Sequence, residues 1–260
     1  MSGLRCCRVE AQEDGLRILT LDRAPVNALG RDLVADLEVA IAGLAADAAA
    51  RCLIVRSAGS HFCAGADLKE RLEMSLEEVR AFVPRLAGIC NALAAIPYPT
   101  IAAVRGTAAG GGCELALACD LRVLAEDARI GLRETALAIL PGAGGTQRLP
   151  RIAGAAVAKR WIFTGHLFSA AKAAADRVAD AVVAPDRLEE EARAIAASIC
   201  ANGPVAIRLA KRAIDAGADL PMDRALALEW ECYQGVLGTE DREEALRAFG
   251  EKRAPVFRGR

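Results

Sequence analysis

Apolar and polar residues alternate through GLRILTLDR, Gly15 to Arg23, and that period of two predicts a strand with one covered face. The turn PVNALG leads into a predicted helix over Arg31 to Ala46. RCLIVRSAG, in contrast, is almost unbroken in apolar residues, as expected of a strand covered on both faces. After the loop SHFCAGADLKE, a helical pattern runs from Ser75 to Ala95, opened by Ser75 with Glu78 at capping-box spacing. TIAAVRG predicts a second buried strand; three glycines follow, and CELALACD begins a helix that is apolar all round. LRVLAED and ARIGL read as short strands, and LPGAGG leads into a further helix. From Arg187 onward the pattern is helical throughout, with Pro204 opening one segment and Pro221 separating two. Strand, strand, helix units recur and a helical tail follows. That order predicts an α/β fold of a superhelical kind rather than a doubly wound sheet.

Composition narrows the function classes. With 260 residues, 53% of them hydrophobic and 4% aromatic, the chain can bury a large core built from Ala, Leu, Val and Ile. The formal net charge of −1 supplies no pull toward nucleic acid or an anionic membrane. Nine cysteines are scattered without a C-x-x-C pair, which favours reduced thiols over a disulfide framework or a zinc site. Only His61 and His166 are present, so a histidine metal site or a Ser-His-Asp triad has little to draw on. Charges interrupt every apolar segment, and MSGLRCCRVE is too short for a targeting peptide, so the expectation is a cytoplasmic protein with no membrane partner.

Two glycine-rich segments fail as nucleotide sites. Neither AGGGCE nor PGAGGTQ supplies the Lys and Ser or Thr of a phosphate-binding loop. A dinucleotide fingerprint from Gly142 would need a glycine where Gln147 stands. PGAGG is then read as glycines easing a tight turn. Two other loops have more chemistry in them. Ala64, Gly65 and Ala66 follow one buried strand, and Gly110, Gly111 and Gly112 follow another and open a helix. Small side chains leave amides accessible in both places, and two such amides converging on one point form an oxyanion hole. Directly behind the glycines lies Glu114, with no Lys or Arg between Gly106 and Asp120 to neutralise it. A buried acid without a partner takes up a proton or serves a reaction. Glu134 is a second acid in apolar surroundings, since Arg133 beside it projects in another direction. Paired carboxylates near an anion site suit acid–base work on carbon next to a carbonyl.

HFCAGADLKE, GGGCELALACDLRV and ETALAILPGAGGTQRLPR together resemble the enoyl-CoA hydratase (crotonase) family in order and spacing through nearly the whole chain. The resemblance implies a crotonase-type superhelix of strand–strand–helix turns over residues 1–195, and a C-terminal helical section, 196–260, that packs a homotrimer or a dimer of trimers. It implies an acyl-CoA thioester substrate and no separate cofactor, CoA being part of the substrate. The oxyanion donors would be the amides of Ala66 and Gly111. Ala64, Asp67, Leu68 and Lys69 would line the CoA path, with Gly142 beside the substrate. Phe249 and Lys252 would reach a neighbouring subunit's CoA. A pair of glutamates marks the family's hydratases. Glu114 would hold the water that attacks C3, and Glu134 would deliver a proton to C2.

FCAGADLKER, MSLEEVRAFVPRL, ETALAILPGAGGTQRLPR and ECYQGVLGTEDREEALRAFGEKRAP lean toward the 3-methylglutaconyl-CoA hydratase branch of leucine breakdown, against a general short-chain enoyl-CoA hydratase. That substrate carries a distal carboxylate, for which Lys69, Arg71 and Arg133 are the candidate cations. The rival from another class is an RNA-binding role through the first helix. That helix offers Arg31 against Asp32, Asp36, Glu38 and Asp47, so phosphate neutralisation cannot drive binding there.

Overall fold

The computed structural model describes residues 3–260. β1 (Cys7–Ala11), which the hydrophobic pattern did not single out, pairs antiparallel with β2 (Leu16–Leu21). β2 alternates in sequence, yet all six of its residues are buried. Its polar face is roofed by side chains: Arg17 pairs with Asp47 at 2.7 Å, and Thr20 accepts from Arg56 Nε at 3.0 Å. α1 (Arg31–Ala45) leads to β3 (Cys52–Ser57), which runs parallel to β2.

From there each turn of the chain supplies two strands. β4 (Thr100–Val104) is followed at once by β5 (Thr107–Ala109), and β6 (Leu121–Ala125) by β7 (Arg129–Gly131). The first of each pair joins the large sheet and the second a small one. With β8 (Phe168–Ser169) and β9 (Ala181–Val183), the orders are β1-β2-β3-β4-β6-β9 and β5-β7-β8. This is the spiral of strand–strand–helix units that the element order predicts.

The helices between strands follow from local sequence. α2 (Leu68–Glu73) is capped by Asp67, whose carboxylate accepts from the amides of Lys69 and Glu70. α3 (Leu76–Ala94) begins at the complete capping box of Ser75 and Glu78 and buries Phe82, Leu86, Ile89, Cys90 and Leu93 along one stripe. α4 (Gly111–Leu117) is buried at every residue. α5 (Gly145–Ala153), α6 (Ala155–Thr164) and α7 (Ala170–Ala175) lie between β7 and β9.

α8 (Leu188–Cys200) packs against β2, β3, β4 and β6 and buries Ala192, Ala196 and Cys200. The boundary expected at 195/196 falls inside this helix, and the next helix begins after residues 201–203. α9 (Pro204–Gly217), α10 (Met222–Leu237) and α11 (Glu240–Glu251) follow, with α9 and α10 packed on each other. A largely buried ion pair ties this section to the core, and an exposed one joins Arg151 of α5 to Asp219 at 3.4 Å. Asp120 Oδ2 accepts from Lys211 Nζ of α9 at 2.6 Å and from the Thr100 amide at 2.8 Å, and the Lys211 side chain is only 10% exposed. Asp120→Ala strands that ammonium, and urea unfolding should read a loss of about 3 kcal/mol. A loss below about 1 kcal/mol would put the pair in the weak class of surface bridges.

Candidate active site

Two loops from different turns of the spiral meet at the carboxyl ends of β3 and β4. Cys63 stitches them together: its amide donates to Thr107 O at 3.0 Å, and its carbonyl accepts from the Ala109 amide at 3.0 Å. One step on, Leu29 donates to Gly65 O at 2.7 Å and accepts from the Asp67 amide at 3.4 Å. In that parallel bridge the flanking residues make the bonds, so the intervening Ala66 amide stays free of Leu29. Gly111, the first residue of α4, likewise has no preceding turn of helix to accept its amide.

Close approach sets the glycines. Gly65 has φ +89, and a Cβ there would lie 2.5 Å from Ala109 O and 3.3 Å from the Gly111 nitrogen. A Cβ at Gly111 would lie 4.0 Å from the Ala66 nitrogen. The two amides thus share one small space. Gly110, at φ +52, brings the carboxyl of Glu134 beside it; a Cβ at Gly110 would lie 3.0 Å from Glu134 Oε1.

Both glutamates are buried, Glu114 at 3% exposure and Glu134 at 9%. Glu114 projects from the first turn of α4, and its Oε1 accepts from the amides of Ala143 at 2.7 Å and Gly145 at 2.8 Å. Burial pushes its pKa up, against the pull of those two amides and of the Arg148 charge. Glu134 opens a 3-10 turn, Glu134–Leu137, that Ala138 ends in the left-handed region at φ +56. Its Oε2 is buried without a hydrogen-bond partner among the described residues. Burial first, and the Glu114 charge second, push the Glu134 pKa up to about 7.

The acids and amides sit in a mainly apolar cavity of about 930 Å³. Val79, Val83 and Leu86 of α3 form one wall, and Leu137, Ile139 and Leu140 of the segment after Glu134 form another. Arg71 also lines it. Its guanidinium lies 5.3 Å from the centre of the Phe82 ring, and burial lowers its pKa with no carboxylate among the described residues acting on it.

Among the expected site residues, Ala64, Ala66, Leu68, Arg71, Gly111, Glu114, Arg133, Glu134 and Gly142 line this one cavity. Others lie elsewhere. Asp67 caps α2 and pairs with Arg23 at 2.8 Å, so its carboxylate is spent on structure. Lys69 is exposed outside the cavity lining, which leaves Arg71 and Arg133 of the three candidate cations. Phe249, 86% exposed, and Lys252, which caps α11, do not line the cavity of their own chain.

The reading of PGAGG as a mere turn needs correcting. Ala143 and Gly145 of that segment donate both hydrogen bonds to Glu114. The signal available was the acid itself: a buried carboxylate requires donors, and two glycine-flanked amides are suitable ones.

A spiral of paired parallel strands, with unused amides and two acids at the floor of an apolar cleft, defines an enzyme of the crotonase fold. A family model described as enoyl-CoA hydratase/isomerase matches residues 11–260, and the chain belongs to that family. The crystal structure of an enoyl-CoA hydratase from Bacillus anthracis superposes with a TM-score of 0.96 at 43% identity, covering 98% of this chain and 100% of that one. Human enoyl-CoA hydratase domain-containing protein 2, mitochondrial, is 47% identical over 254 residues, 95% of this chain and 87% of the human one. Human methylglutaconyl-CoA hydratase, mitochondrial, is 43% identical over 262 residues, 98% of this chain and 77% of its own length. The chain is accordingly an enoyl-CoA hydratase-type enzyme of a family that acts on acyl-CoA thioesters. Among the described residues no helix is long and apolar enough to cross a membrane.

Proposed function

We propose that the protein adds water across the 2,3 double bond of an enoyl-CoA, and that its preferred substrate is 3-methylglutaconyl-CoA, giving 3-hydroxy-3-methylglutaryl-CoA. The observation that carries the hydratase reading is the meeting of Glu114, Glu134 and the Ala66 and Gly111 amides around one small space. In this mechanism the thioester oxygen accepts from the two amides, which stabilise the enolate that forms as oxygen adds to C3. Glu114 takes a proton from the attacking water, and the hydroxyl bonds to C3. Glu134, whose pKa near 7 makes it a proton donor at neutral pH, supplies the hydrogen that bonds to C2. Exchange through solvent returns the proton from Glu114 to Glu134. Because the two carboxyls interact, they titrate as a pair.

Arg71 supports the carboxylated substrate. A guanidinium in an apolar cavity, with no counter-ion among the described residues, favours an anionic ligand. The likeness to human methylglutaconyl-CoA hydratase agrees. The likeness to human enoyl-CoA hydratase domain-containing protein 2 leaves a general short-chain hydratase as the competing reading. A turnover panel decides between them. 3-Methylglutaconyl-CoA should have the highest kcat/KM, and Arg71→Met should lower that value about tenfold or more by raising KM, with crotonyl-CoA unaffected. If crotonyl-CoA is the better substrate by tenfold, the branch is wrong and the hydratase class stands.

Met222, Leu226, Trp230, Tyr233 and Phe249 are exposed on the C-terminal helices. Such apolar faces suit packing between copies in a trimer, where Phe249 and Lys252 would approach a neighbour's CoA.

A further inference from the structure

We propose that Arg148 is the positioning residue for Glu114: it grips the turn that donates to this carboxylate and holds a positive charge behind it. Arg148 stands on the first turns of α5. Its Nη1 donates to Ala143 O at 2.9 Å, and its Nη2 donates to Asn91 Oδ1 of α3 at 2.7 Å. The Ala143 carbonyl lies between the two amides, of Ala143 and Gly145, that donate to Glu114 Oε1. Carboxylate and guanidinium therefore hold the same three-residue turn, one by its N–H groups and the other by its C=O. Gly144 makes the grip possible: it has φ +108, and a Cβ there would collide with Nη1 of Arg148.

The charges around Glu114 leave Arg148 a distinct role. α4 packs against β5, α3 and α5. β5 carries only Thr107, Ala108 and Ala109, none of them titratable. α3 brings Cys90, whose thiol burial raises to about 12, and α4 itself brings Cys113, pushed well up by burial. Both thiols stay neutral in the working range. Glu134 faces Glu114 as a like charge, and Arg148 on α5 is the cation that favours the ionised form of Glu114. A general base must be ionised to act, so the grip on the turn and the charge behind it serve the same step. This role rests on the hydratase reading only for its kinetic consequence.

The experiment separates the two. Protein labelled with carbon-13 at glutamate side-chain carboxyls is titrated by NMR, with Glu114 assigned from its loss in Glu114→Gln. In Arg148→Met the Glu114 carboxyl should titrate about one pH unit higher than in the unaltered protein, and in Arg148→Lys by an intermediate amount. Asn91→Ala, which frees Nη2, should shift it in the same direction by less. The acid limb of kcat/KM for crotonyl-CoA should move with the titration, with KM constant within about twofold. An unchanged Glu114 titration in folded Arg148→Met overturns the proposal. Should that variant fail to fold, an unchanged titration in both Arg148→Lys and Asn91→Ala overturns it equally. Absence of any enoyl-CoA hydration by the unaltered protein would instead defeat the hydratase reading, and the titration would still decide the role of Arg148.

Discussion

Glu134→Gln is expected to lower kcat for enoyl-CoA hydration by about a thousandfold and, at the same time, to make the protein more stable at pH 8. The first effect follows from removing the proton donor to C2; amide and acid have the same shape, so KM should hold. The second follows from linkage. Glu134 ordinarily titrates near 4.5 and is pushed up to about 7 in the folded protein. Between those values the folded state binds more protons than the unfolded state, so stability falls as pH rises through the window. Above pH 7 the folded protein carries the full penalty of ionising a buried acid that has one oxygen unpartnered. A rise from 4.5 to about 7 corresponds to about 3 kcal/mol. Glutamine carries none of this penalty. Urea unfolding should show the variant ahead by about 2 kcal/mol at pH 8, with the two proteins converging toward pH 4. A variant that kept most of its turnover would remove Glu134 from the mechanism. One that lost stability at pH 8 would mean that the fold stabilises the ionised acid instead of penalising it.

Gly65→Ala is the second large effect, because it disturbs two amides with a single methyl group. At φ +89 any residue with a Cβ is strained, by about 1–3 kcal/mol. The new carbon would also lie 2.5 Å from Ala109 O and 3.3 Å from the Gly111 nitrogen, both backbone atoms of the facing loop. Relief requires the loops to part, which moves the Ala66 amide, the Gly111 amide or both. Losing one such donor typically removes about 3–4 kcal/mol of transition-state stabilisation, a factor of about 10²–10³ in kcat. KM should change little, because an oxyanion donor acts most strongly on the transition state. Gly88→Ala is the control: a Cβ at Gly88 of α3 meets nothing within 4 Å, so activity should persist. Turnover of Gly65→Ala near that of the parent would mean the two amides do not form the oxyanion site.

The periodicities were enough for the architecture. Buried strands such as TIAAV and CLIVR are almost continuously apolar, as expected of strands inside a sheet against which α8 packs, and that composition is visible residue by residue. The capping box at Ser75 was equally local, since its two partners are three residues apart. β1 escaped because CRVEA mixes charge with apolar residues at a sheet edge, where one side faces water. β8 and β9 are two and three residues long, too short for a period to register.

The site divides in the same way. The sequence by itself determined which acids are exceptional, because Glu114 and Glu134 stand in apolar surroundings with no adjacent partner, and it located the small residues that expose backbone amides. Tertiary structure alone decided what those acids meet. Ala143, Gly145 and Arg148 reach Glu114 from about 30 residues away, and Asn91 steadies Arg148 from the opposite side of the chain order. It alone separated Arg71, inside the cavity, from Lys69 two residues earlier and outside it, since two residues along a helix rotate the side chain by about 200° to the other face. Local composition records what a residue requires when it is buried. Which distant group meets that requirement depends on how the turns of the spiral stack, a property of the whole chain that no short window contains.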